Sequence, residues 1–481
     1  MVYTFFSKGF LRGWPYASIF LLPLYSLAQE TPNELSPRDF FNLVRSNHPV
    51  AKQADLIPES AQAKLLQARG AFDPKFEGDL ENKDYKEIEY YNQIYAGLKL
   101  PTWYGIEFKA DYTYAQGTYT NPKDFLPDQG LAGAGLSLSL GRGLWIDERR
   151  ATLRQAQIFR EASEAERLIV LNDLLFDAGK RYVDWAVAER QLAMLANASS
   201  FAEERLRWVK QSYAVGDEPA IDTVEATIQL QNINLLLRDA ELAVQKTRLE
   251  LANFLWDTEG RPLELRDETR PTALDPSAIG SDPGPAALDS LFTQINQLHP
   301  ELLNYRYKLA GIEIDRRLAA EQLKPKVNFN YQFLNENIVN GDGIGPFFAP
   351  FENNYKWGLD LSFSLFLRKE RGKLQEVKIK REQTRLDRDL KRQSLLNKIE
   401  SYYLELQNIR RQLGISEAAV VNYERMLEAE EIKFRIGESS VFLINSRQSK
   451  LIEAQLKLID LQGKVFKARA GLAYAGGLFG Q

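Results

Sequence analysis

The most regular feature of the sequence is a spacing of apolar residues. Leu451, Ala454, Leu458, Leu461, Val465, Ala468 and Leu472 follow one another at alternating steps of three and four. Such a heptad seam predicts a helix packed lengthwise on another helix. A breaker, Arg435-Ile436-Gly437-Glu438-Ser439-Ser440, stands before it. The same arrangement occurs earlier in the chain, with Ala214-Val215-Gly216-Asp217-Glu218-Pro219 as the breaker and Leu230, Ile233, Leu237, Ala240, Val244, Thr247 and Leu251 as the seam. Pro219 is expected just inside the start of that return helix. Each breaker closes a much longer helical run, 147–214 in the first case and 368–434 in the second. The first has no proline and one glycine, Gly179. Its seam runs through Leu168, Leu171, Leu175, Ala178, Tyr182, Trp185 and Leu192, and that of the second through Ile399, Tyr402, Leu406, Ile409 and Leu413. At 1.5 Å per residue each run makes about 100 Å of helix, far beyond a globular helix of about 11 residues.

Between the helical stretches the period changes to two. Phe76, Gly78 and Leu80 alternate with Glu77, Asp79 and Glu81; Val327, Phe329, Tyr331 and Phe333 alternate with Asn328, Asn330 and Gln332. Leu136, Leu138 and Leu140, and Leu359, Leu361, Phe363 and Leu365, have the same rhythm, the mark of strands with one apolar and one polar face. Residues 90–100 and 106–119 are strand-like and rich in tyrosine, joined by a turn at Pro101-Thr102-Trp103-Tyr104-Gly105. They read as an extra hairpin that either joins the same sheet, giving six strands per chain in place of four, or folds outside it. Asn121–Gly130 and Asn335–Asn354 read as loops.

These elements recur in order. Asn47-His48-Pro49 returns as Leu298-His299-Pro300, and Asp73-Pro74-Lys75 as Lys324-Pro325-Lys326, both at one common shift. The shift is shorter at the breakers, from Gly216 to Gly437, which places the extra residues of the first half in its strand region. The chain therefore divides into residues 29–256 as a first repeat, with strands at 75–140, a long helix at 147–214 and a return helix at 219–256. A proline-rich linker follows at 257–290. The second repeat is 291–481, with strands at 326–367, a long helix at 368–434 and a return helix at 440–474. Ser36 with Pro37 opens the first helical stretch as N-cap and first helical residue; His48-Pro49 and Pro58 interrupt or kink it, and Gly70 ends it.

Composition narrows the function. Residues 1–28 read as a secretory signal: Lys8 and Arg12 supply positive charge, 14–27 are mostly apolar, and Ser26-Leu27-Ala28 suits cleavage. Loss of that segment takes the formal net charge from −4 to −6, which gives no support to nucleic-acid binding. The chain has no cysteine and two histidines, which excludes thiol chemistry and disfavours histidine catalysis and zinc sites. No phosphate loop, nucleophile motif or metal cluster stands out, so neither an enzyme nor a cofactor is expected. Exported strands of this pattern suit a closed barrel in an outer membrane. So few strands per chain cannot close a conducting barrel, and the narrow helical seams also need lateral partners, so several chains in a ring are expected.

The duplicated layout resembles the TolC family of outer membrane efflux proteins over essentially the whole mature chain. The resemblance is carried by Asn47-His48-Pro49 with Gln67-Ala68-Arg69 and Asp73-Pro74, by 359–365 leading into a long helix, and by Tyr213-Ala214-Val215-Gly216 and Phe434-Arg435-Ile436-Gly437. It implies a mainly α fold with a transmembrane β-barrel portion: a homotrimer whose periplasmic α-barrel continues into a shared 12-stranded barrel in outer membrane lipid. It also implies two partners at the tip, a periplasmic adaptor (membrane fusion) protein and an inner-membrane transporter, proton-driven or ATP-driven, as in tripartite efflux or type I secretion. By the same resemblance the adaptor meets Val215, Gly216, Asp217, Ile436, Gly437 and Glu438. Gly216 and Gly437 serve equally well as plain turn residues. Relatives narrow the pore with acids where this chain has Leu443 and Ser446; Asp222 and Glu225 hold acids at the first-repeat equivalents, or form a solvated helix face. The histidines are expected to cap or pack. The basic residues Arg368 to Arg381 are interleaved with Glu370 and Glu376, and are expected to form a solvated mixed-charge face. The competing reading is a secreted periplasmic coiled-coil scaffold without channel activity.

Overall fold

The computed structural model describes residues 34–118, 126–272, 285–336 and 354–479. The expected signal segment and most of the two expected loops lie outside these. Helix α1 (Pro37–Asn47) starts at Ser36, whose hydroxyl accepts the Asp39 amide at 3.1 Å. Helix α2 (Pro49–Arg69) follows and carries Pro58 internally. The long helix α3 (Glu148–Val215) and the return helix α4 (Ala220–Ala252) complete the helical part of the first half. Helices α5 (Pro285–Leu298), α6 (Pro300–Glu321), α7 (Arg368–Arg435) and α8 (Val441–Ala475) form the second. At 68 residues each, α3 and α7 are about 100 Å long.

The seams explain the packing. Leu171, Leu175, Ala178, Tyr182 and Trp185 of α3 are buried with Phe40 and Val44 of α1 and Leu251 at the end of α4. Leu406 and Ile409 of α7 meet Leu461, Val465 and Ala468 of α8. Helix α8 buries more than its seam. Ile452, Ile459, Gly463 and Phe466 are buried too, because α8 packs on α3 and α4 as well as on α7. A seam one residue wide thus understates a helix wedged between two others. Pro219 is also corrected: it caps α4 from outside, in extended conformation (φ −75°, ψ 153°).

Both histidines are helix caps. His48 Nδ1 accepts the Val50 amide at 3.1 Å and His299 Nδ1 the Glu301 amide at 3.2 Å. Each precedes a proline at the first helical position, where a missing N–H costs nothing. Burial pushes both imidazoles down from the ordinary histidine pKa.

The strands are β1 (Glu34–Leu35), β2 (Lys75–Tyr85), β3 (Ile88–Pro101), β4 (Ile106–Gln116), β5 (Leu131–Ser139), β6 (Arg270–Pro271), β7 (Lys326–Asn335) and β8 (Tyr355–Ser362). Short β1 and β6 pair in parallel. The other six form one antiparallel sheet in the order β2-β3-β4-β5-β7-β8. The extra hairpin β3–β4 is therefore part of the sheet. Its turn is held from below: Trp103 stacks on Phe72 at 4.3 Å, and Arg149 of α3 pairs with Glu107 at 3.3 Å. The last strand is shorter than its alternation predicts. β8 stops at Ser362, leaving Phe363 and Leu365 beyond it, because its partner strand begins opposite, at Lys326.

Register sorts the sheet into two faces. Phe76 lies opposite Leu98, Leu98 opposite Ala110, Phe108 opposite Leu136, Leu136 opposite Tyr331 and Tyr331 opposite Trp357. On the other face Glu77 lies opposite Gly97, Gly97 opposite Asp111, Asp111 opposite Gly133, and Asn328 opposite Asp360. Gln332 Nε2 reaches Asp111 at 2.6 Å across β5. Glycine on β5 makes this possible: a Cβ on Gly135 would stand 2.7 Å from the Gln332 Cα.

Candidate functional site

The two breakers form matching turns at the end of the helices away from the sheet. In the first, the Gly216 amide donates to the Tyr213 carbonyl at 3.0 Å and the Asp217 amide to Ser212 at 3.0 Å. In the second, Gly437 donates to Phe434 at 3.0 Å and Glu438 to Lys433 at 2.9 Å. Both are Schellman motifs, which cap the last carbonyls of a helix and need a left-handed residue after it. Gly216 and Gly437 supply it with φ of 85° and 80°. No atom lies within 4 Å of where their Cβ atoms would stand. Backbone conformation, not space, is what requires glycine here.

Around the turns apolar side chains face outward. Val215 is 74% and Ile436 65% exposed, with Ile221 and Phe442 also exposed. Asp217 and Glu438 are near them in the same turns. Glu218 is pushed above the usual carboxylate range by partial burial and by the neighbouring Asp222 and Asp217. Asp222 lies in the first turn of α4, where the helix dipole favours a negative charge.

The tips of the two repeats are packed together. Val209, Ala226 and Val441 share a small core with Leu206 and Phe434. Asn445 Nδ2 donates to the Glu225 carbonyl at 3.4 Å, which brings Glu225 beside the residue preceding Ser446. Asp222, Glu225, Leu443 and Ser446 thus all lie within the first turns of the two return helices. Glu225 and Ser446 are half-buried, and Leu443 borders solvent.

A polar cluster centred on Arg205, a residue that sequence reasoning missed, ties the repeats to each other. Arg205 of α3 pairs with Glu431 of α7 at 3.1 Å and bonds Gln448 of α8 at 2.5 Å. Nearby, Glu430 accepts Ser439 at 2.7 Å and Arg447 at 3.4 Å. These bonds hold the Glu430 carboxyl below its usual range. A signal was present. Arg205 continues a buried series of Leu195, Ala198, Ala202 and Val209 at steps of three and four. A charge in a seam position needs a partner on the facing helix. The corresponding position of the second repeat is apolar, Met426.

Among the described residues no group of acidic or histidine side chains is arranged to hold a metal ion. No described helix is long and apolar enough to cross a membrane. The basic residues at the start of α7 are in part paired with acids: Lys373 bonds Glu376 at 3.1 Å, and Arg381 lies 3.8 Å from Glu313 of α6.

This architecture is that of outer membrane channels. The structure of CusC superposes with a TM-score of 0.67 at 12% identity, covering 97% of this chain and 98% of that one. The Neisseria gonorrhoeae MtrE outer membrane channel gives 0.66 at 12% identity, covering 92% and 88%. The Campylobacter jejuni CmeC outer membrane channel gives 0.62 at 15% identity, covering 92% and 85%. No curated protein sequence matches the chain. Residues 291–478 match the family model described as outer membrane efflux protein, so the second repeat is a domain of that family. The fold is thus the one that the resemblance to the TolC family implies, and the second repeat carries the outer membrane efflux protein domain.

Proposed function

We propose that three copies of this chain form a passive conduit through which substrate, delivered by an inner-membrane transporter, leaves across the periplasm and outer membrane. The observation that carries this reading is the sorted sheet. One face is apolar over six consecutive strands and the other polar, at one end of two helices about 100 Å long. An apolar outer face suits lipid and a polar inner face suits a water-filled lumen. The chain performs no chemistry in this reading; the transporter, proton-driven or ATP-driven, supplies the energy in a tripartite efflux or type I secretion assembly.

The opposite end is the docking end. Val215, Gly216, Asp217, Ile436, Gly437 and Glu438 lie on two turns of the same geometry. They offer a periplasmic adaptor paired sites of one shape, with exposed Val215 and Ile436 as apolar anchors. Asp222, Glu225, Leu443 and Ser446 narrow the mouth, and acids repeated by three-fold symmetry favour cations there.

The test is Gly437→Pro. Proline holds φ at about −65°. This turn has φ of 80°. Export should be lost while the protein remains trimeric in the outer membrane. Normal export by a normally inserted variant would exclude docking at this turn.

A further inference from the structure

We infer that three copies close an eighteen-stranded barrel, with β8 of each chain pairing antiparallel with β2 of the next. This rests on the trimeric reading above and corrects the 12 strands that the family resemblance implies. The six strands are contiguous, and among the described residues of this sheet only β2 and β8 have a ladder on one side alone. An open sheet edge is not tolerated in lipid, since its amides and carbonyls find no partner there. With six alternating strands, β2 and β8 run in opposite directions, so each β8 meets the next β2 with the antiparallel sense of the rest of the sheet.

The side chains agree. Phe76 and Leu80 on β2, and Trp357, Leu359 and Leu361 on β8, are the most exposed large side chains of the apolar face. Joining the two edges makes that face a continuous band. The added hairpin is no loose appendage, since β3 and β4 are laddered on both sides and their turn rests on Phe72 and Arg149.

Size points the same way. With strands about 4.8 Å apart and tilted about 40°, eighteen strands make a circumference of about 113 Å and a diameter of about 36 Å. Twelve would make about 75 Å and about 24 Å. Near the sheet each chain lays four helices side by side, α2 on α3, α3 on α6 and α6 on α7. Twelve such helices at about 8–10 Å spacing have a circumference of about 96–120 Å. Eighteen strands continue that tube at constant width; twelve would constrict it.

The chain has no cysteine, so introduced pairs report on themselves alone. Asp79→Cys in β2 is combined in turn with Lys356→Cys, Gly358→Cys and Asp360→Cys in β8, three consecutive polar-face positions that sample the register. The membrane-inserted protein is then oxidised, and a parallel sample is treated with an amine cross-linker. At least one pair should convert most of the protein to covalent trimer on a denaturing gel. Asp79→Cys with Ser137→Cys, which would meet if β2 paired directly with β5, should give no disulfide. Amine-linked trimers in which no β2–β8 pair bridges, or in which Asp79→Cys bridges to Ser137→Cys, would overturn the eighteen-stranded closure and leave the trimer standing. Absence of amine-linked trimers would overturn both.

Discussion

The wedge position of α8 makes a test whose sign is decisive. Gly463 lies in the interior of α8, where alanine is a better helix former by about 1 kcal/mol. By propensity alone, Gly463→Ala should stabilise. A Cβ there, however, would stand 2.4 Å from the Val187 Cγ2 of α3. Carbon atoms in contact prefer about 3.5–4.0 Å, so one helix must retreat by about 1 Å. Val187 cannot swing aside, because a β-branched side chain in a helix has one strongly preferred rotamer. Overpacking of this kind costs about 1–3 kcal/mol. The net effect should be destabilising by up to about 2 kcal/mol. Gly414 of α7 is the internal control, since nothing lies within 4 Å of its added Cβ. Gly414→Ala should stabilise by about 0.5–1 kcal/mol. Unfolding in urea, followed by circular dichroism on detergent-extracted protein, measures both. Val187→Ala in the Gly463→Ala background should recover at least about 1 kcal/mol as a coupling term. If Gly463→Ala stabilises as much as Gly414→Ala, with no coupling to Val187, then α8 does not pack against α3 as described.

Two further outcomes follow from the caps and the tip. His48 and His299 accept amide hydrogen bonds through neutral Nδ1, and burial lowers both pKa values in the folded state. The unfolded chain therefore binds more protons below its pKa of about 6.5; the stabilisation is complete above that value and is lost as pH falls through it toward the folded pKa. His48→Asn with His299→Asn keeps the caps and should flatten the melting temperature between about pH 5 and 7, whereas each alanine variant should cost about 1 kcal/mol; an unchanged pH profile in the asparagine double variant would refute the assignment. Arg205→Met, which copies the counterpart Met426, removes the tie to Glu431. Glu431 is 41% exposed and regains water, so the loss should be no more than about 1 kcal/mol. Amide exchange near 205–215 and 436–448 should nonetheless quicken, and unchanged protection would show that the cluster does not hold the tips together.

What could be read from the sequence was local or repeated. The alternation of three and four steps located α3, α4, α7 and α8, since each buries a narrow stripe along its length. The paired Asn47-His48-Pro49 and Leu298-His299-Pro300 marked helix starts, because a cap and a proline act within one turn. The place of the β3–β4 hairpin was not legible. A hairpin returns the chain to the side it left, so strand count and order constrain nothing. Only register, with Leu98 and Ala110 continuing the apolar face of Phe76, decides that it lies within the sheet. Helix α8 showed its seam but not the second stripe through Ile452, Ile459 and Phe466, because that stripe depends on a helix from the other repeat. Arg205 stood in plain view at a seam position, but its partners Glu431 and Gln448 belong to the other repeat, beyond the reach of any local pattern. The short bridge between β1 and β6, two residues each, has no periodicity to read.

The hairpin also separates two kinds of change. It enters and leaves at the end of the sheet away from the helices, and only its turn reaches the foot, beside Phe72 and Arg149, with about 100 Å of helix between that turn and the turns at Gly216 and Gly437. On the trimeric reading proposed above, adding or removing such a pair of strands would alter the bore of the barrel by a fixed increment per chain and leave the turns proposed for docking untouched. On that reading the calibre of the outlet and the choice of partner would be written in different segments, and either could be exchanged in an engineered chimera without redesign of the other.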